Sequence, residues 1–200
     1  MSGEQATQDG LRRAVLIVAL LNLGYFGVEF AVALSIGSVS LFADSIDFLE
    51  DAAINLLILF GLAWPAPKRR LLGKVLAAII LVPAIATLWM AAQKLAVPVA
   101  PAPVPLTLTG AGALMVNFAA AMILARHRHH GGSLSHAAFL SARNDVLANG
   151  AIIVAGLITA YTLSIWPDLI VGLGIAYINA DAAFKVYRAA QKERDIAPAP

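Results

Sequence analysis

The sequence predicts an all-α membrane protein, a six-helix transmembrane bundle with both termini cytoplasmic. Three observations lead there. Apolar residues make up 60 % of the 200-residue chain and charged residues 13 %, against about 25 % charge in soluble domains, and the mean hydropathy is +0.80. The apolar residues fall into runs of roughly 20, the length that crosses a bilayer. Basic residues collect in alternate loops: Arg12 and Arg13, then Lys68, Arg69 and Arg70, then Arg126 and Arg128, then Lys185, Arg188, Lys192 and Arg194. By the positive-inside rule those loops and both ends face the cytoplasm, and only Lys94 stands on the other side.

The elements follow in order. Residues 1–10 are polar and read as a loose cytoplasmic tail. The first helix spans about 12–34. A basic start, an apolar run and Ala31-Val32-Ala33 imitate a secretory signal, but the run is too long for a signal core and contains Asn22 and Glu29. Those two are seven residues apart, so they share one helical face. After the turn Ser35-Ile36-Gly37-Ser38, with Ser38 as N-cap, the second helix covers about 39–63 and stops at Pro65 and Pro67. The third, about 71–94, holds Pro83, which predicts a kink. The proline-rich stretch 96–105 reads as an extended connection at the membrane surface. Helices at about 106–125, 137–163 and 166–190 follow, the last opening on Trp166-Pro167-Asp168, and residues 191–200 form a short cytoplasmic tail.

The chemistry lies in the second helix. Asp44, Asp47, Asp51 and Asn55 fall at spacings that place them on one stripe roughly 80° wide at about 100° per residue. A carboxylate at the bilayer centre costs roughly 2.5 to 3.5 kcal/mol, so such a stripe needs a cation, protons or a wet cavity as partner. Ser141, Asp145 and Asn149 on the fifth helix repeat the pattern, and two matched polar stripes are expected to face each other. Asp47, Asp51 and Asp145 would then supply three carboxylates, with Ser141 adding a hydroxyl or leaving its place to water. There is no cysteine, so a metal held here takes oxygen or nitrogen ligands, and an oxygen cage suits a hard or borderline divalent ion.

Asn22 and Glu29, the segment GSVSLFADSIDFLEDA, a histidine-bearing loop between helices four and five, and SARNDVLANGAIIVAG together resemble the transmembrane domain of the cation diffusion facilitators. The resemblance runs from Arg12 to about Arg188. It implies a metal site built from an (H/D)xxxD pair on each of helices two and five. Asp47 and Asp51 match the first pair, with Asp44 at the acidic position that often precedes it. Asp145 matches half of the second, and Ser141 stands where His or Asp is expected. The resemblance also implies export of a divalent metal (zinc, iron, manganese, cobalt or cadmium) from the cytoplasm in exchange for protons, and a homodimer. Family members continue into a cytoplasmic domain, and this chain is expected to be a transmembrane-only relative in a bacterial cytoplasmic membrane. Because crowded carboxylates cannot all stay ionised without a metal between them, protons and metal compete for the site.

Other polar residues have weaker claims. Glu50 lies about 60° around the helix from Asp47, which suits a structural or proton-path role. Asp44, Glu29 and Asp181 are candidates for proton transfer and Asn149 for support behind the ligands. His127, His129 and His130 either load metal or form a basic loop attracted to anionic lipid. Glycines around Gly110, Gly112 and Gly172 suggest close helix contacts, since no strand precedes them to make a phosphate loop. No Ser/His/Asp set and no HExxH pattern point to an enzyme, no prosthetic group is implied, and no charged face suits nucleic acid. The competing functions are a metal sensor or accessory subunit that holds the ion without moving it, and a proton-coupled exporter of organic cations.

Overall fold

A computed structural model describes residues 2–61, 85–125 and 132–196, with the side chains of 10–56, 59, 85–125 and 144–181. Six helices account for these residues: α1 (Ser2–Ile36), α2 (Val39–Gly61), α3 (85–96), α4 (Pro103–Ala125), α5 (Gly132–Thr162) and α6 (Trp166–Ile196). Three of them hold segments long and apolar enough to span a bilayer, at Gly10–Ile36, Pro103–Ala125 and Asn144–Thr162.

Several boundaries move from their sequence positions. Helix α1 begins at Ser2, so the expected loose tail over residues 2–10 is helical. Its residues Glu4, Gln5 and Ala6 are good helix formers. Helix α4 starts at Pro103, three residues early, because proline fits the first turn, where the missing N–H has no intrahelical role. The extended connection shortens to 97–102. Helix α5 starts at Gly132 and α6 runs on to Ile196, each about a turn beyond the apolar run that revealed it. Pro65, Pro67, Pro83 and the histidine loop lie outside the described residues.

The turn between α1 and α2 forms as its residues predict. Gly37 adopts φ 63°, the left-handed conformation that ends many helices, and the Ser38 amide reaches back to the Ala33 carbonyl at 3.0 Å. The Ser38 hydroxyl then accepts from the Leu41 amide at 3.2 Å, which makes it the N-cap of α2.

Helix α2 touches α1, α4, α5 and α6, while α4 packs along α5 and against α1. Small residues permit the closest approaches: a Cβ on Gly110 would press on Ile152, and Gly112 and Gly156 lie against Tyr25 and Thr107. Tyr25 also donates to the Thr109 carbonyl at 2.6 Å, tying α1 to α4.

The distribution of polarity is inverted relative to a soluble domain. Met115, Leu108, Leu147, Ile170 and Tyr177 are exposed, whereas Asn22, Glu29, Asp44, Asn149 and Asp168 are completely buried. A surface of this kind belongs in lipid, and the polar residues are gathered in the interior of the bundle.

Candidate functional site

The acidic stripe of α2 meets the polar stripe of α5 inside the bundle, at two levels. At the level further from the start of α2 a cavity of about 170 Å³ is lined by Asp47, Glu50 and Asp51 of α2, Asn144 and Asp145 of α5, and Ile178 and Asn179 of α6. The carboxyls of Asp145 and Asp51 face each other, and Asp47 is close to Asp145. Behind the cavity, Asn22 of α1 donates to Asp51 Oδ2 at 3.4 Å, so the polar face of α1 turns toward the same acids.

Asp44 belongs to the outer level. Its Oδ2 accepts from Asn149 Nδ2 at 2.5 Å, and Asn149 Oδ1 accepts from Asn117 Nδ2 at 3.0 Å, a buried chain that links α2, α5 and α4. Glu29 of α1 lies against Asp44. No amide, hydroxyl or cationic donor among the described residues reaches either Glu29 carboxyl oxygen or Asp44 Oδ1. The single stripe read from spacing thus splits, because α2 faces Asn149 and Glu29 near its start and the Asp145 cavity a turn further in.

Most of the sequence candidates are accounted for. Asp47, Asp51 and Asp145 come together at the cavity, and Glu50 joins them there despite its offset around the helix. Asn149 and Glu29 stay with Asp44 at the outer level. Asp181 is exposed and does not line the cavity. The side chain of Ser141 and the loop bearing His127, His129 and His130 lie outside the described residues. Among the described residues no three His, Cys, Asp or Glu side chains form a closed coordination group, so the cavity is a shared wall of acids.

Two residues were not singled out from spacing. Asn179 enters the cavity from α6, and its only sequence signal is a lone amide in an apolar run. Asp168 is buried at the start of α6, where its carboxylate accepts from Ser38 Oγ at 2.6 Å, Ser40 Oγ at 2.6 Å, Val39 N at 2.9 Å and Ser40 N at 3.1 Å. A negative group there satisfies the orphan N–H groups of α2 and complements its dipole. Lys94, the lone basic residue on that side, donates to the Gly37 carbonyl at the end of α1 and lies near Asp168. Its placement at a helix C-terminus explains why this cation is tolerated against the charge pattern.

An apolar-surfaced helical bundle with acids converging on an interior cavity is a membrane protein with an internal site for cations or protons. The sequence model of the cation efflux transmembrane domain matches residues 15–193, nearly the whole chain, and the protein belongs to that family. Its members are metal cation transporters and not enzymes, which agrees with the resemblance read from the acidic motif. No curated protein sequence matches the chain.

Proposed function

We propose that the protein exports a divalent metal ion from the cytoplasm in exchange for protons, through the cavity between α2 and α5. The observation that carries this reading is the joint exposure of Asp47, Asp51 and Asp145 to one small interior space. Acids held in a low-dielectric bundle carry a cost that a cation or protons in the cavity offset. A dication entering the cavity displaces protons from the protonated carboxyls and binds the carboxylates that result, and protons arriving from outside reprotonate them and release the metal in turn. Exchange follows when the bundle exposes the cavity to one side at a time, each state being favoured by the ligand it binds better. A bacterial cytoplasmic membrane and a homodimeric assembly complete the reading.

The outer pair Glu29 and Asp44 supports a path for protons toward the far side, since two adjacent buried carboxyls can pass a proton between them, and Asn149 with Asn117 behind it holds Asp44 in place. Purified protein reconstituted in vesicles tests the proposal. Metal uptake is expected to saturate, to collapse when the pH gradient is removed, and to be abolished in Asp51→Ala and Asp145→Ala. Uptake that persists in either variant refutes the site. Saturable binding without flux would instead favour a sensor, and flux of an organic cation alone would favour the other rival.

A further inference from the structure

We infer that Asn179 of α6 supplies the transported ion with an uncharged oxygen beside the carboxylates, so that the site is an all-oxygen one suited to hard divalent ions such as Mn²⁺. The inference rests on the carboxylate reading above and adds a ligand from a third helix.

Register is the first ground. Asp168 is bonded to Ser40 at the outer ends of α6 and α2, and both helices run inward from there. Gly172, a turn after Asp168, seats directly on the backbone of Val39 and Ser40. Asn179 is as many residues beyond Gly172 as Asp47 is beyond Ser40, about two turns in each case, or roughly 10 Å along the axis at 1.5 Å per residue. Two turns return a side chain to nearly the same face, so Asn179 meets α2 at the height of Asp47, a turn before Asp51, on the face of α6 that carries Asp168 and Gly172.

The second ground is the state of the amide. Asn179 is only 6 % exposed, yet it makes no hydrogen bond, and it lines the cavity that the carboxylates share. Other buried asparagines of the bundle, Asn22, Asn55, Asn117 and Asn149, each donate to an oxygen of the protein. Its amide opens onto the cavity and is not sealed in the packing, so its carbonyl oxygen is free to face an ion there.

The chemistry follows from the donor set. Among the described residues the cavity presents the carboxyls of Asp47, Glu50, Asp51 and Asp145 and the amide carbonyls of Asn144 and Asn179, with no imidazole or sulfur, and oxygen-only surroundings favour manganese-like ions, whereas imidazole improves the match to zinc.

Initial rates of Mn²⁺ and Zn²⁺ uptake in reconstituted vesicles test this, compared as a ratio, because a loss of folded protein lowers both rates and leaves their ratio unchanged. Asn179→Ala is expected to lower the Mn²⁺ to Zn²⁺ ratio by about tenfold. Asn179→His is expected to lower it further by raising Zn²⁺ uptake. Should the alanine variant not insert, Asn179→Leu, which keeps the side-chain volume and removes the oxygen, and the histidine variant carry the same comparison. An unchanged ratio in every folded variant, while Asp51→Ala still abolishes both fluxes, overturns the role of Asn179 and leaves the carboxylate site standing. Fluxes that survive Asp51→Ala overturn the site itself.

Discussion

Replacing Asp168 by alanine is expected to loosen the outer end of the bundle more than any other single polar substitution there. Its carboxylate accepts four hydrogen bonds from the first residues of α2, two from backbone N–H groups and two from serine hydroxyls, and it lies near the Lys94 cation. Alanine leaves the Val39 and Ser40 amides buried with no acceptor, the two serine hydroxyls with only each other at 3.3 Å, and no anion beside Lys94. Removing one partner of a buried charged network costs about 3 to 5 kcal/mol. At roughly 2 to 4 °C per kcal/mol for a chain of this size, the melting temperature falls by about 6 to 20 °C. Thermal unfolding of the purified protein in detergent, followed by tryptophan fluorescence, measures it. Ser38→Ala, which removes the N-cap hydroxyl but leaves the carboxylate, provides the scale at about 1 kcal/mol. An Asp168→Ala protein that melts together with Ser38→Ala would refute the reasoning, because the carboxylate would then add nothing beyond an ordinary cap.

Gly172→Ala tests the neighbouring contact, since a Cβ there would stand 2.7 Å from Ser40 N and from the Val39 carbonyl carbon; the expected loss is about 1 to 3 kcal/mol, read as a lower melting temperature. Gly37→Ala forces an alanine into the left-handed conformation at the end of α1, and about 1 to 2 kcal/mol of destabilisation is expected, with asparagine tolerated better than alanine. Asn149→Leu strips Asp44 and Asn117 of their shared partner; thermal unfolding is expected to show a loss of about 1 to 3 kcal/mol for each group left unsatisfied, and Asn117→Leu a smaller one because Asn149 keeps Asp44. In vesicles, Asp47→Asn is expected to weaken metal uptake while the protein stays folded, since the change removes a charge from the cavity wall and preserves its shape; uptake at the wild-type rate would exclude Asp47 from the site.

Membrane class, helix number and the acidic character of the interior are written locally. A run of apolar residues must be a helix in lipid because every backbone N–H and C=O has to be satisfied within it, so length and composition suffice. The polar stripes of α2 and α5 were legible for a similar reason: the helical period converts spacing into a face, and buried charge obliges such faces to meet. That reasoning reaches Asp47, Asp51, Asp145 and the partnership of Asn149 with the α2 stripe. Tertiary packing decided what depends on the rotation and axial height of helices distant in sequence. It separated Asp44 from Asp47, drew Glu50 into the cavity, left Asp181 exposed, and set Asp168 under the start of α2 with Asn179 three turns below. Those positions follow from the close seat of Gly172 on Ser40 and from a hydrogen-bonded cap spanning 128 residues of chain, and no periodicity within one helix encodes its height against another.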